Sequence, residues 1–443
     1  MRILILAALL LSSSVLHAQV LKLFPTDYQP LAIHQVDDTV HVFCNGNDID
    51  YDGIFESANG EISASWLKYH AGTGKLLSKR TIEHTYFSIP FRPAFWEGKF
   101  YNPNGNLIEV YDLSTQALLD SSIIELPNPQ STITAVYVES ITLSGGETRT
   151  ILACSHKTSF TQNGMFSMFG VNDSQLLGEI EIGINPQMIH SFMNLLGERE
   201  FAVLFEGTFG GSNSTLHRLL PTPSSALPFK SESYDLGDTG NFFVIRDQLA
   251  LTVMNGSHEI IPINLATNTV LPGFPIGTSG FDGPREVIVD TITNRVYVST
   301  YASDIRIGSF VNGEVLGMMD PNGKPEGMAL IHGSLWACNA YKKGDYAPDS
   351  TIAIFTLGAS SVKEQRDADI EISLKDGLCS IISKDSGFMG DLQVIDATGK
   401  VIISEAFDGS FKQVSLKGYP QGLYGVYVRS GSTYSNALLL HRN

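Results

Sequence analysis

The sequence predicts an all-β protein, a seven-bladed β-propeller followed by a small C-terminal β-sandwich. Three observations carry this expectation. Between Gln19 and Leu357 no stretch sustains a helical period, and short apolar or alternating runs are punctuated by Gly, Asn, Asp and Pro. Within that body one pattern recurs, an apolar strand ending on a polar residue. It reads VFCN at Asn45, KFYN at Asn102, LACS at Ser155, VLFE at Glu206, TVMN at Asn255, VYVS at Ser299 and WACN at Asn339. The repeats lie about 40 to 57 residues apart, the range of a propeller blade. After Leu357 a polar stretch, GASSVKEQRDADI, gives way to a second, denser series of strands.

The bulk composition agrees. The chain has 443 residues, 43% hydrophobic and 17% charged, which suits core-forming domains rather than a disordered chain. Its formal charge of −17 repels phosphate backbones, so nucleic acid is not an expected partner. The N-terminus, MRILILAALLLSSSVLHAQV, places Arg2 before an apolar run and small residues before Gln19. That is the pattern of a secretory signal peptide over residues 1–18, cut after Ala18. No Cys adjoins the cut, and no later run approaches about 18 apolar residues, so no transmembrane segment is expected.

The expected domains are then a propeller over 19–357, a linker over 358–370 and a sandwich over 371–443. Blade structure is clearest in GPREVIVDTITNRVYVSTYASDIRIGSFVNGEVLG, which reads as four short antiparallel strands with a turn at Asn294. Seven such units fit between about Pro30 and Leu357, and the early strand LKLF is available to close the ring. Four widely spaced cysteines, Cys44, Cys154, Cys338 and Cys379, exclude a CxxC metal site and a dense disulfide scaffold. Buried unpaired thiols are the expectation, with Cys44–Cys338 as the one pairing to check. Three of the four fall at one position of the repeat.

KPEGMALIHGSLWACNA and VIVDTITNRVYVST resemble the seven-bladed surface propellers with YVTN-type repeats. The resemblance covers the last two or three blades. It implies a surface binding protein, since some relatives in gut bacteria capture corrinoids and pass them to an outer-membrane transporter.

In a propeller the connections after the second and fourth strands of each blade share one face, where binding residues concentrate. The longer of these loops carry Tyr51, Phe55, Phe160, Phe209, Tyr341 and Tyr346, rings that suit sugars or a flat macrocycle, or that pack beneath their own loops. The recurring polar residues from Asn45 to Asn339 are expected to bond local backbone. One loop, NDIDYDGIFE, alternates Asp48, Asp50 and Asp52 ahead of Gly53 and Glu56. Alternating carboxylates in a tight turn converge on one hard cation. The loop resembles the DxDxDG calcium loops of β-propellers, which implies calcium held by Asp48, Asp50, Asp52 and Glu56 with the Ile54 carbonyl. A solvated acidic turn is the alternative.

Enzyme signatures are absent from the sequence: there is no GxSxG, HExxH or P-loop motif, and His156, His190, His217 and His332 lack metal-ligand spacing. A propeller hydrolase would need paired carboxylates on the funnel; Glu206 and Asp282 could serve, but any acidic protein offers such pairs by chance.

The tail contains LQVIDATGK, with a hairpin turn at DATGK, then PQGLYGVYV and a final apolar strand. It resembles the type A C-terminal sorting domain of type IX secretion cargo in Bacteroidetes, over its whole length. The matching residues include Gly399, Lys400, Pro420, Gly422, Leu423, Tyr424, Val426 and Val428, while Tyr419 and Ile395 depart from the usual Leu and Tyr. The resemblance implies passage across the outer membrane by the type IX machinery, with tail removal and attachment to surface polysaccharide as frequent sequels. The functional expectation is a secreted or surface-displayed, non-catalytic binding propeller for a small molecule, such as a corrinoid, or a glycan. A carbohydrate-active hydrolase or lyase and a structural or adhesive protein are the alternatives, the last expected if the aromatic loops are buried.

Overall fold

The computed structural model describes residues 16–18, 22–50, 55–82, 94–142, 148–221, 229–246, 248–310, 313–357, 370–375, 378–383, 389–396, 401–420, 422–430 and 433–441. The chain divides into two compact units, Met1–Leu357 and Gly358–Asn443.

Short strands and tight turns follow from the sequence pattern, with positive φ at turn residues such as Asp37, Asn268 and Asn294. They assemble into seven sheets in the first unit, each a blade. The innermost strands are, in order, Pro30–Val36, Ala94–Trp96, Thr132–Thr142, Pro186–Met193, Gly240–Arg246, Pro284–Asp290 and Gly323–Ile331. In blades one to six the chain steps outward in sequence order. The unit expected as a clear example is blade six: Pro284–Asp290, Arg295–Thr300, Asp304–Ser309 and Val315–Met319. Leu16–Ala18 adds a parallel strand to its outer edge. In blade seven the outermost place goes to Lys22–Pro25, antiparallel to Thr351–Ile354. The early strand expected to close the ring therefore does so.

Each blade exposes two apolar faces that only its neighbours can bury. Six clusters fill the seven interfaces. Trp66, Phe43, Phe100 and Tyr111 join blades one and two, Val138, Cys154 and Ile108 join two and three, and Phe166, Phe201 and Val203 join three and four. Phe242, Phe243, Leu204 and Val298 run through blades four to six. Tyr297, Met328 and Phe355 join six and seven. The ring closes through Val42, Cys44, Trp336, Cys338 and Ile352 between seven and one. Phe24 on the closing strand stacks on Trp336 at 6.1 Å between centroids. All four cysteines are free and buried.

The second unit has strands Ile370–Lys375, Leu378–Ser383, Met389–Asp396, Val401–Asp408, Phe411–Ser415, Gly422–Ser430 and Thr433–His441. They form a three-stranded and a four-stranded antiparallel sheet. One core built on Ile381, Leu392, Phe407, Leu416, Val426 and Val428 serves both sheets. Tyr424 is buried and its hydroxyl donates to the Pro420 carbonyl at 2.6 Å. Gly399 and Lys400 lie outside the described residues. No helix among the described residues is long and apolar enough to cross a membrane.

Two histidines, His41 buried and His217 half-buried, make stability depend on pH. His41 Nδ1 accepts from Trp66 Nε1 at 3.0 Å, and His217 packs on Phe205 at 4.6 Å. Burial, aided by nearby Lys68, lowers His41 to about 4. Burial likewise lowers His217 to about 4 against the pull of Asp235. The unfolded chain, with histidines near 6.5, binds protons more readily than the fold does. This stabilisation is therefore complete above about 6.5 and is lost as pH falls toward 4. Calorimetric scans should show the propeller transition falling across that window, and less steeply in His217→Gln. Phe24→Ala should destabilise the same transition by about 2 kcal/mol and leave that of the second unit in place.

Candidate functional site

The inner strands share an irregularity that creates the site. Pro30 pairs with Cys44 and Ala32 with Phe43, so Leu31 is an extra residue on its strand. The same two-against-one arrangement places Thr134, Gln187 and Asn241 as the extra residues of blades three, four and five. In blade six Arg285 and Glu286 oppose Ser299, and in blade seven Glu326 and Gly327 oppose Cys338. Six inner strands therefore carry a β-bulge at one level, within their first few ladder pairs. A bulge re-aims its extra side chain and is typical of rims and binding sites. The level is that of the loops after the second and fourth strands, so the bulged residues ring one mouth of the central channel.

From blade four to blade seven this ring is polar and cross-linked. Gln187 Nε2 donates to Glu206 at 2.7 Å, and Asn185 donates to the same carboxylate. Lys157 donates to Asn185. Asn241 Nδ2 donates to the Arg285 carbonyl at 3.3 Å. Arg285 Nε and Nη2 donate to Glu326 Oε1 at 2.9 and 2.7 Å, and the Tyr301 hydroxyl donates to Glu326 Oε2. Glu326 is 1% exposed, so its charge depends on these donors. Burial acts to lower the Arg285 guanidinium, but Glu326, with Tyr301 and Tyr341, overrides it and holds it above its ordinary value. Burial raises the Glu206 carboxyl, with Lys157 and Arg285 opposing and Asp238 adding.

Above Arg285 sit three tyrosines. Tyr301, Tyr341 and Tyr346 meet edge to face, with centroids 5.5 to 5.8 Å apart. The Arg285 guanidinium lies 4.8 Å from the Tyr301 ring and the Lys324 ammonium 4.3 Å from that of Tyr346. Lys324 also pairs with Asp282 at 3.1 Å, and the Tyr346 hydroxyl donates to Asp282 and to the Phe281 carbonyl, each at 3.2 Å. Burial and Asp282 together raise the Tyr346 phenol.

Of the six rings expected as ligand contacts, the structure brings Tyr341 and Tyr346 together. Phe160 and Phe209 stand on neighbouring blades of the same face, 70% and 79% exposed, and Lys157 lies 3.8 Å from the Phe160 ring. Phe55 is half-buried, and Tyr51 lies outside the described residues. Sequence reasoning missed Tyr301, Arg285, Glu326, Asn241 and the exposed Phe281, which stands on a connection after a fourth strand. A signal existed for the bulges: Leu31, Gln187, Arg285 and Glu326 each follow a proline, and Asn241 follows a glycine. Proline cannot donate to the ladder and sits at strand starts and bulges. Among the recurring polar residues, Asn255, Ser299 and Asn339 donate to the backbone carbonyls of Pro284, Glu326 and Pro321.

In the acidic loop, Asn47 and Ile62 pair across the loop's two ends. This brings Glu61 back beneath Asp48 and Asp50, with one oxygen of each carboxylate within 4.8 Å of the others. Glu61 accepts from the backbone N–H groups of Ile49 and Glu56 at 3.0 and 2.7 Å. The Glu56 carboxylate, expected as a ligand, instead accepts from Asn59. Asp52 and Ile54 lie outside the described residues. Three carboxylates in this geometry suit a hard cation such as calcium.

With this geometry in hand, the likeness to solved structures is at the level of fold. The chain matches the WD40 repeats of RRP9 with a TM-score of 0.55 and 9% identity, over 77% of this chain and 99% of that one. It matches the Dos1 propeller at 0.54 and 10%, over 77% and 96%. It also matches PorZ, an essential bacterial surface component of the type-IX secretion system of Porphyromonas gingivalis, at 0.53 and 11%. That match covers 94% of this chain, and the chain spans 59% of PorZ. The first unit ends at Leu357 of 443 residues, so an alignment of that extent runs into the second unit. No family model and no curated protein sequence matches the chain. These neighbours establish the β-propeller.

Removing Arg285 should strand the Glu326 charge. Arg285→Ala is expected to cost about 3 to 5 kcal/mol in denaturant unfolding of the propeller. Phe209→Ala, on an exposed loop, should stay within about 0.5 kcal/mol of wild type.

Proposed function

We propose that the chain is an exported, non-catalytic binding protein that presents the tyrosine-lined channel mouth to a ligand outside the cell. The observation that carries this reading is the convergence of Tyr301, Tyr341 and Tyr346 on the bulge ring, on the face that also exposes Phe160, Phe209 and Phe281. Exposed rings on rigid loops favour binding over the structural alternative, which called for buried ones. The ligand classes it suits are those of the sequence reading, a glycan or a small molecule such as a corrinoid, with an outer-membrane transporter or surface polysaccharide as partner.

Export by the type IX route rests on the signal-like N-terminus, the order of motifs in the tail and the separate core of the second unit. The reach of the PorZ alignment is consistent with it. A chain ending at Leu357 should retain the propeller's thermal transition yet fail to reach the cell surface or medium. Equal export of the two forms, measured by fractionation, would refute the sorting role.

One observation favours a hydrolytic second reading. Glu206 is a half-buried carboxyl raised by its surroundings, as a general acid requires. Its engagement by Asn185 and Gln187 favours a structural part instead. Turnover of any glycan that stops in Glu206→Gln with binding unchanged would favour the enzyme.

Calcium is proposed at Asp48, Asp50 and Glu61, with Asp52 and the Ile54 carbonyl as further ligands. A bound ion at 100 times its Kd stabilises a fold by about 2.7 kcal/mol. Calcium should therefore raise the melting temperature of wild type, and Asp50→Ala and Glu61→Gln should abolish the shift. Glu56→Gln should keep it, and a wild type indifferent to calcium and chelator would end the assignment.

A further inference from the structure

Resting on the binding reading, we propose that the channel mouth between blades four and seven takes a neutral sugar, its apolar face against Tyr346 and its hydroxyls on the bulge ring. The first argument is charge. Lys157 and Glu206 share Asn185, Arg285 is paired with Glu326, and Lys324 with Asp282. Every cation of the mouth is matched by a carboxylate. A phosphate or uronate would meet no surplus positive charge, and Asp238 beside Glu206 adds to the repulsion. An anionic ligand's charge is therefore desolvated without return.

The second argument is an acceptor that lacks a donor. Asn241 is 7% exposed, and its Oδ1 has no hydrogen-bond partner. The amide cannot be satisfied by exchanging its two atoms, because Nδ2 donates to the Arg285 carbonyl and a flip would set two oxygens against each other. An acceptor left unpaired costs free energy until a donor reaches it, and because this oxygen is closed to solvent a ligand's donor reaches it only as the rim opens. A hydroxyl or a water supplies one, and an acceptor-only group does not. Gln187 lies at the equivalent bulge of the neighbouring blade with its Nε2 held by Glu206, so its carbonyl offers a second acceptor to a ligand hydroxyl.

The third argument is the platform. Tyr346 is 46% exposed, and its hydroxyl is fixed by Asp282 and the Phe281 carbonyl. An aromatic ring held at its polar end presents a rigid apolar surface at low entropic cost. A pyranose, apolar on one face and hydroxylated at its edge, meets both halves of the site.

The test is calorimetric titration of the full chain with neutral oligosaccharides of glucose, mannose, galactose and N-acetylglucosamine, with their uronic-acid counterparts and with cobalamin. Neutral sugars should bind, and Asn241→Leu and Tyr346→Ala should each weaken them by about tenfold or more. Asn241→Leu removes the unsatisfied acceptor but also the donor to the Arg285 carbonyl, so its melting is recorded beside its binding, and weakened binding by a variant that keeps a cooperative propeller transition separates lost binding from lost folding. Neutral sugars that bind equally well to both variants would overturn the placement. Binding confined to uronic acids or to cobalamin, and weakened in Tyr346→Ala, would overturn the sugar assignment while leaving the binding reading intact. Failure of every neutral saccharide to bind would overturn the proposal outright.

Discussion

Closure of the ring is the constraint on which the rest of the first unit depends. A blade is apolar on both faces, and seven blades in an open row would leave two of those faces in water. The chain removes them by pairing Lys22–Pro25 with Thr351–Ile354 and burying Cys44, Trp336, Cys338 and Ile352 between the first and last blades. Hydrophobic burial scales with the area removed from water, so an interface of this kind contributes several large side chains at once. Because blade seven is held to blade one, Glu326 and the tyrosines of blade seven stay in register with Arg285 of blade six. Gly327 marks how tight the closure is, since a Cβ there would meet the Leu31 carbonyl at 2.4 Å.

The architecture could be read from the sequence because it is written in short-range signals. Period-two apolar runs, turn residues with φ above zero and a polar residue at the end of each second strand all survive in linear order. The blade count, the closing strand and the buried free thiols followed from these. The strand content of the tail could be read in the same way.

The site was less legible because its parts are distant in sequence and its orienting device is a defect in regular pairing. Tyr341 and Tyr346 were noticeable as rings in a long loop. Their partner Tyr301 sits on another blade, and nothing in the segment around it announces the meeting. Arg285, Glu326 and Asn241 belong to inner strands, where a polar residue would ordinarily read as an interruption. Only the preceding proline or glycine hints that the strand steps outward there. Glu61 shows the same limit in the acidic loop: the alternation stops before it, and it reaches Asp48 and Asp50 because Asn47 and Ile62 pair across the loop.

The closing strand has a kinetic consequence. Its two halves are separated by nearly the whole propeller, so the loop that must be shut spans more than three hundred residues. Long-range pairings form slowly. Until the final strand has emerged from the ribosome, both the first and the last blade must wait with open margins. The chain is then in an extended or partly assembled condition.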